Sequence, residues 1–426
     1  MSETRIWAAV LIFIGTYAVI AFSKIPRLHL DRPGAALCGA VLMVVCGVLS
    51  FEAAWQAIDA RTIVLLLGMM LLNVLLEESG FFELAAALVL ERARSPVQLL
   101  TGLTVLSAVL SALFLNDTVC LMLTLPVLTL LRRAGLPSPP YLITLAMSAN
   151  IGSVMTVIGN PQNMLIGNYS GWTYLEFLLW MTPVGVASLA ALLEILLLFY
   201  GRSLRAAADA YKLKTPCGDR PPVDWALLNK SLMVLTGVMV AFVAIGNLPL
   251  VAMSGAMLLL VISRRPPAAI LARVHWVLLA FFSGLFIVVH GLEATGLVKS
   301  LAQAIQPMYG SSLATQVPVF SAVTVVASNV VSNVPFVVLA RDVVPELLEP
   351  QWMWLVLAMA STLAGNLTIP GSVATLIVLE TAKQHSSGHE TGVGFIEFLR
   401  VGVPVTLVTT TLGALILWAE HWLMKS

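Results

Sequence analysis

Charge is scarce in this chain. Asp, Glu, Lys and Arg make up only 11% of its 426 residues, where soluble domains carry roughly 25%. So few ionic groups cannot cover a water-facing surface, and a net charge of +1 gives no indication of a nucleic-acid partner. Cysteine is sparse too. Cys38, Cys46, Cys120 and Cys217 are scattered, with no C-x-x-C pair and no nearby His, so neither a metal site nor a disulfide framework is predicted. No G-x-x-x-x-G-K-[ST] loop occurs, which leaves uphill work to an ion gradient or to a separate soluble ATPase chain. The paired Asp, Ser-His pair or H-E-x-x-H motif of an intramembrane protease is also missing, so neither enzymatic activity nor a cofactor is expected.

What the chain has in quantity is apolar sequence: 59% hydrophobic residues and a mean hydropathy of +0.95. Stretches of about 20 apolar residues, enough to span a bilayer, fill nearly its whole length. It reads as an all-α polytopic membrane protein. The first span starts at Ile6 without a small-residue cleavage site after it, and is expected to be retained. Continuous spans are predicted at 6–23, 34–51, 62–78, 173–200, 230–246, 249–263, 275–291 and 396–419. Two more, 139–168 and 352–382, are interrupted by polar residues, while 97–133 and 312–341 read as hairpins that enter the membrane and return on the same side. Gly201 to Lys230, polar and of mixed charge, reads as a linker.

The halves repeat. Pro33/Pro249, Gly39/Gly255, Gly68/Gly284, Glu77/Glu293, Gly80/Gly296, Asp117/Asn333 and Asn150/Asn366 all stand 216 positions apart. After Asn150 the offset becomes 212, pairing Gly159 with Gly371 and Asn160 with Ser372. A constant register through several elements indicates duplication, the mark of a secondary transporter. The units are placed at 1–200 (scaffold helices 6–78, hairpin 97–133, broken helix 139–168, helix 173–200) and 230–426 (scaffold helices 230–291, hairpin 312–341, broken helix 352–382, helix 396–419), joined by a cytoplasmic linker at 201–229. Each has five crossings plus one re-entrant hairpin, and an odd number of crossings inverts the second unit. With the first loop cytoplasmic, eighteen of the 23 Lys and Arg residues fall on that side, as the positive-inside tendency requires. Both termini are then outside, and the hairpins enter from opposite faces with their tips near the midplane.

Irregular backbone at membrane depth survives only where it lines a cavity or is buried in protein. The four breaks supply Asn116, Asp117, Thr118, Asn150, Ser153, Thr156, Asn160, Gln162, Asn163, Ser332, Asn333, Asn366, Thr368, Ser372 and Thr375. The set is rich in oxygen and amide groups, with one acid and no Lys, Arg or His. A carboxylate flanked by apolar sequence costs several kcal/mol in a bilayer unless it faces a cavity, a partner or an ion. Asp117 is therefore the expected proton or cation coupling residue, although the same carboxylate could cap a helix starting near Thr118. Ser153, Thr156, Asn163, Thr368 and Thr375 join it as candidates for the coupling ion. Pro161 and Pro335 follow Asn at a break, the pattern that starts a helix; such starts aim N–H groups into the cavity, while the carbonyls ending the preceding segments favour a cation.

Leu115-Asn-Asp-Thr-Val-Cys-Leu-Met-Leu-Thr124, Ala149-Asn-Ile-Gly-Ser-Val-Met-Thr-Val-Ile-Gly-Asn-Pro-Gln-Asn163 and Ser332-Asn-Val-Pro335 resemble the ion transporter superfamily. That group includes arsenite permeases, sodium/proton antiporters and sodium-coupled di- and tricarboxylate carriers. The resemblance covers essentially the whole chain and implies a scaffold, a mobile unit of hairpins and broken helices, an elevator-like shift, and a homodimer. It would give substrate contacts to Asn116, Asp117, Ser332 and Asn333, with Asn150, Asn160, Asn366 and Ser372 completing the substrate or ion sites and Thr118 beside them. The hairpin tips of carboxylate carriers typically read Ser-Asn-Thr; here they read Asn116-Asp117-Thr118 and Ser332-Asn333-Val334, closer to the arsenite permease branch. The favoured expectation is proton-coupled arsenite or antimonite efflux across the cell inner membrane. A di- or tricarboxylate carrier coupled to sodium or protons, a sodium/proton antiporter and, in a different class, an ion channel are the alternatives.

Overall fold

In a computed structural model of the chain, residues 2–22, 24–25, 30–207, 222–385 and 393–425 are described. Cys217 and residues 208–221 of the linker at 201–229 lie outside them, as do Arg27, Lys212, Lys214 and Arg220 of the charge count. Apart from a two-residue ladder pairing Lys24–Ile25 with Leu30–Asp31, the regular structure is helical. The helices of the first half are α1 (Glu3–Phe22), α2 (Arg32–Val45), α3 (Phe51–Gln56), α4 (Ala60–Glu78), α5 (Phe81–Arg92), α6 (Pro96–Leu113), α7 (Asn116–Ala134), α8 (Pro139–Ser153), α9 (Pro161–Ser170) and α10 (Tyr174–Ala206). Those of the second half are α11 (Trp225–Ile245), α12 (Leu248–Ser263), α13 (Pro267–Ala272), α14 (Trp276–Glu293), α15 (Leu297–Ile305), α16 (Leu313–Val331), α17 (Asn333–Ala340), α18 (Pro350–Ala364), α19 (Val373–Gln384) and α20 (Phe395–Lys425). Among the described residues, eight helices are long and apolar enough to cross a membrane, and α2 and α12 are shorter apolar helices.

Local sequence explains many of the boundaries. Asp31 and Asn247 accept from the backbone N–H three residues on, at 2.9 and 3.3 Å, and each is followed by a proline in the first helical turn, where a missing N–H costs nothing. Thr173 and Glu176 form a reciprocal capping box at the start of α10. The predicted span 34–51 proves too long: α2 stops at Val45, the chain turns through Gly47 at φ +67°, and Ser50 caps the separate helix α3. Helices α5 and α15, which lead into the two hairpins, fall between the predicted spans, because each is too short to span and carries charged ends or only a narrow apolar stripe.

Packing recurs at the 216-residue spacing. Helix α4 lies against α12 and α2 against α14. A Cβ on Gly68 would come within 2.8 Å of the Ala252 carbonyl carbon, and one on Gly284 within 2.8 Å of that of Ala36. Both glycines are therefore required for backbone-to-backbone approach, the small-residue packing typical of membrane helices. Helix α6 packs on α8, α16 on α18, and α10 on α20. Helices α8 and α18 are the innermost elements, buried continuously over 140–153 and 352–364. Glu77 pairs with Arg273 at 2.5 Å, and its counterpart Glu293 pairs with Arg341 and stands 3.3 Å from His290 Nδ1.

Candidate functional site

The predicted hairpins are two-helix turns with short connections, and the broken spans are helix pairs joined by irregular backbone. The tips and the breaks meet. Asn116 and Asp117 from the start of α7, Pro161 and Gln162 from α9, Ser332, Asn333 and Val334 from α17, and Gly371, Ser372 and Val373 at the start of α19 line one cavity of about 40 Å³. Its remaining lining is apolar: Leu278, Phe281 and Phe282 of α14. Four helices thus begin at this cavity, and each brings the positive end of its dipole there.

Behind the cavity lies a buried amide hub. Asn150 Oδ1 accepts from Asn116 Nδ2 at 3.1 Å and from Ser372 Oγ at 3.0 Å, and Asn150 Nδ2 donates to Asn366 Oδ1 at 3.1 Å. Asn150 and Asn366, 216 residues apart, therefore bond to each other. The hub ties the first hairpin tip to both broken helices. The Asn116 backbone N–H donates to Gly159 O at 2.9 Å, and Asn116 Oδ1 accepts from the Asp117 N–H at 2.9 Å.

Asp117 sits in the first turn of α7 and does not cap it; Leu115 holds the capping position. Among the described residues its carboxylate has no hydrogen-bond or ion-pair partner. Thr118 is half-buried beside it and outside the cavity lining. Asn333 is the first residue of α17, and the cap position before it belongs to Ser332, which makes no side-chain cap. The expected Asn-cap arrangement is thus found at Asn160-Pro161, where Asn160 Oδ1 accepts from Asn163 N at 2.8 Å, and not ahead of Pro335. Among the described residues Asn333 Oδ1 is buried without a partner.

The candidates for a coupling ion do not gather in one place. Ser153, Thr156, Asn160 and Asn163 close on the first break: Asn160 Nδ2 donates to Ser153 Oγ at 2.9 Å, Asn163 Nδ2 donates to the Ser153 and Thr156 carbonyls at 3.0 Å each, and Thr156 Oγ1 donates to Ala112 O at 2.6 Å. Thr368 Oγ1 donates to Asn329 Oδ1 at 2.9 Å. Among the described residues the Thr375 hydroxyl and Asn366 Nδ2 are buried without partners.

Several participants lay outside the sequence reading. Asn329 of α16 caps the end of α18, its Nδ2 donating to Ala364 O at 2.9 Å. Thr362 meets Asn160 and Gln162 across the halves, at 3.2 and 3.4 Å; its place one turn before Asn366 was the available signal. The inventory of the breaks contained no cation, yet Arg32 Nη2 reaches Pro370 O at 3.4 Å from the start of α2. The wall residues on α14 look like any apolar helix residue in one dimension.

Comparison with known proteins places this geometry. A family model described as CitMHS, citrate transporter, matches residues 17–362. The chain belongs to this family of the ion transporter superfamily. The rice (Oryza sativa subsp. japonica) silicon efflux transporter LSI3 is 32% identical, with 94% of this chain and 95% of that protein covered. A Dictyostelium discoideum protein named putative transporter arsB is 25% identical over 97% of this chain and 92% of its own length. Among solved structures, the Alcanivorax borkumensis YdaH transporter matches with a TM-score of 0.57 at 14% identity, covering 98% of both chains, a likeness of fold. The CitMHS-family chain is a multi-pass membrane transporter of the secondary class, and its family and relatives are transporters, not enzymes.

Proposed function

We propose that this CitMHS-family chain exports a small neutral metalloid acid, with arsenous or antimonous acid favoured, in exchange for protons handled by Asp117. The observation that carries the reading is the sign of the unfilled groups at the cavity. Among the described residues the Asp117 carboxylate is an acceptor without a partner, and so is Asn333 Oδ1. Each hydroxyl of an undissociated oxyacid can donate to them. A tricarboxylate brings only acceptors and negative charge to the same place. The four converging helix starts do favour an anion, but the chain supplies one of its own in Asp117. A volume of about 40 Å³ also suits a small solute, since organic ligands usually occupy roughly 300 Å³ or more.

The relatives' names support the same chemistry, one being called a silicon efflux transporter and another a putative arsB transporter. The family's description favours a second reading, a citrate or other carboxylate carrier. In either case the cycle is an elevator-like alternation. Helices α1 to α4 and α11 to α14 form the scaffold of two inverted repeats, against which the hairpins and broken helices shift, with both termini outside the inner membrane and two copies forming a homodimer. Polar ties across that boundary, such as Tyr17 Oη to Pro335 O at 3.2 Å and Asn168 Nδ2 to Thr62 Oγ1 at 2.8 Å, would break and re-form in each cycle.

Everted vesicles from an arsenite-sensitive host expressing the protein should accumulate arsenite when their interior is acidified, and silicic acid should compete. Accumulation of labelled citrate with no arsenite uptake would transfer the assignment to the carboxylate reading.

A further inference from the structure

We infer that Phe281 and Phe282 are the specificity-determining wall of the transport site, setting the largest solute it accepts and excluding solutes charged at both ends. The inference rests on the cavity's being the transport site, as proposed above, and concerns a different side of it. Every polar group at the cavity comes from the hairpin tips and the breaks; the part of the lining that comes from neither is Leu278, Phe281 and Phe282 of α14. The two rings are neighbours, with centroids 5.4 Å apart and planes tilted by 42°, and they are 9% and 3% exposed. Packed in this way they form a fixed surface.

A solute held here has one hydrogen-bonded side and one side against aromatic carbon. A second carboxylate directed at the rings would lose its water and gain no partner, a cost of several kcal/mol for a charged group. A compact neutral acid satisfies its hydroxyls on the polar side and leaves only its edge against the rings.

The wall is also one-sided. The residues 216 positions earlier are Thr62, Leu65 and Leu66; they are fully buried on α4, at 0–1% exposure, and line no part of this cavity. Packing duplicated from the first half therefore does not account for two adjacent aromatics at this position. Because α14 belongs to the proposed scaffold, the polar cup would move past the rings, and the limit they impose would apply at the moment of passage.

The test is a solute series in proteoliposomes, from arsenite and silicic acid to succinate and citrate, for wild type, Phe281→Ala, Phe282→Ala and the double variant. The readout is the ratio of large-solute to small-solute flux. A change of one or a few carbons in a pocket wall shifts selectivity by about tenfold or more, so the ratio should rise about tenfold in each Ala variant and further in the double. An unchanged ratio in monodisperse protein overturns the wall. Phe281→Leu and Phe282→Leu, which keep most of the volume, should give a smaller rise; they decide the matter should an Ala variant fail to fold, and a ratio equal to wild type in them would then count against the wall. Wild-type flux of citrate without arsenite would refute both the metalloid assignment and the exclusion of solutes charged at both ends, while the change in the citrate-to-succinate ratio in the variants would still judge whether the rings set the size limit.

Discussion

The two broken helices differ in where their freed backbone groups find partners. In the first break, α8 ends at Ser153 and the chain supplies its own caps: Asn163 Nδ2 covers the Ser153 and Thr156 carbonyls, and Asn160 Oδ1 covers the first turn of α9. In the second, α18 ends at Ala364, whose carbonyl accepts from the Leu367 N–H at 3.0 Å and receives its side-chain cap from another element, Asn329 of the hairpin. The residue matching Asn163 at the 212 offset is Thr375, whose hydroxyl has no partner among the described residues. The first break thus covers its helix ends with its own side chains, while Asn116 N–H and Thr156 Oγ1 also tie it to the first hairpin; the second takes a side-chain cap from the hairpin beside it and, among the described residues, leaves buried polar atoms unfilled.

The largest effect is expected from Asn163→Ala. It removes two carbonyl caps at membrane depth and should cost roughly 2–3 kcal/mol, visible as an early thermal transition in detergent. Asn329→Ala should cost less, about 1–2 kcal/mol, since the Ala364 carbonyl keeps the Leu367 N–H and only Thr368 loses its side-chain partner; if it destabilises as much as Asn163→Ala, the contrast between self-supplied and borrowed side-chain caps is lost. The hairpin tips extend the comparison. Ser332 sits at φ +75°, ψ 156°, a region reserved almost wholly for glycine, while its counterpart Asn116 lies in regular helix. Ser332→Gly should raise the melting temperature by the equivalent of about 1 kcal/mol, whereas Asn116→Gly should lower it. The smallest effect belongs to Thr375→Val, which deletes a hydroxyl with no protein partner and should leave stability within about 0.5 kcal/mol of wild type.

Much of this was legible because packing left marks in the register. Gly68 and Gly284 recur because helix backbones touch there, and Asn150 and Asn366 because they meet. The four-residue change of offset is also interpretable: the breaks themselves, residues 154–160 and 365–372, have similar lengths, and the difference appears as about one helical turn that keeps Asn150 inside α8 while Asn366 lies beyond α18. Partners distant in sequence were not legible. Asn329 falls inside a predicted hairpin helix, Thr362 is a hydroxyl in an apolar helix, and Phe281 and Phe282 belong to a span whose orientation no periodicity reveals. Arg32 was read as part of a cytoplasmic charge cluster, and only the folded chain carries it to Pro370.

The most direct test of the account compares wild type with Asp117→Asn in proteoliposomes, following arsenite flux together with internal pH. The account predicts that wild type moves arsenite and protons together in opposite directions, and that Asp117→Asn loses uphill, proton-driven accumulation while still binding solute at the cavity. Coupled accumulation in Asp117→Asn with an unchanged pH dependence would contradict it.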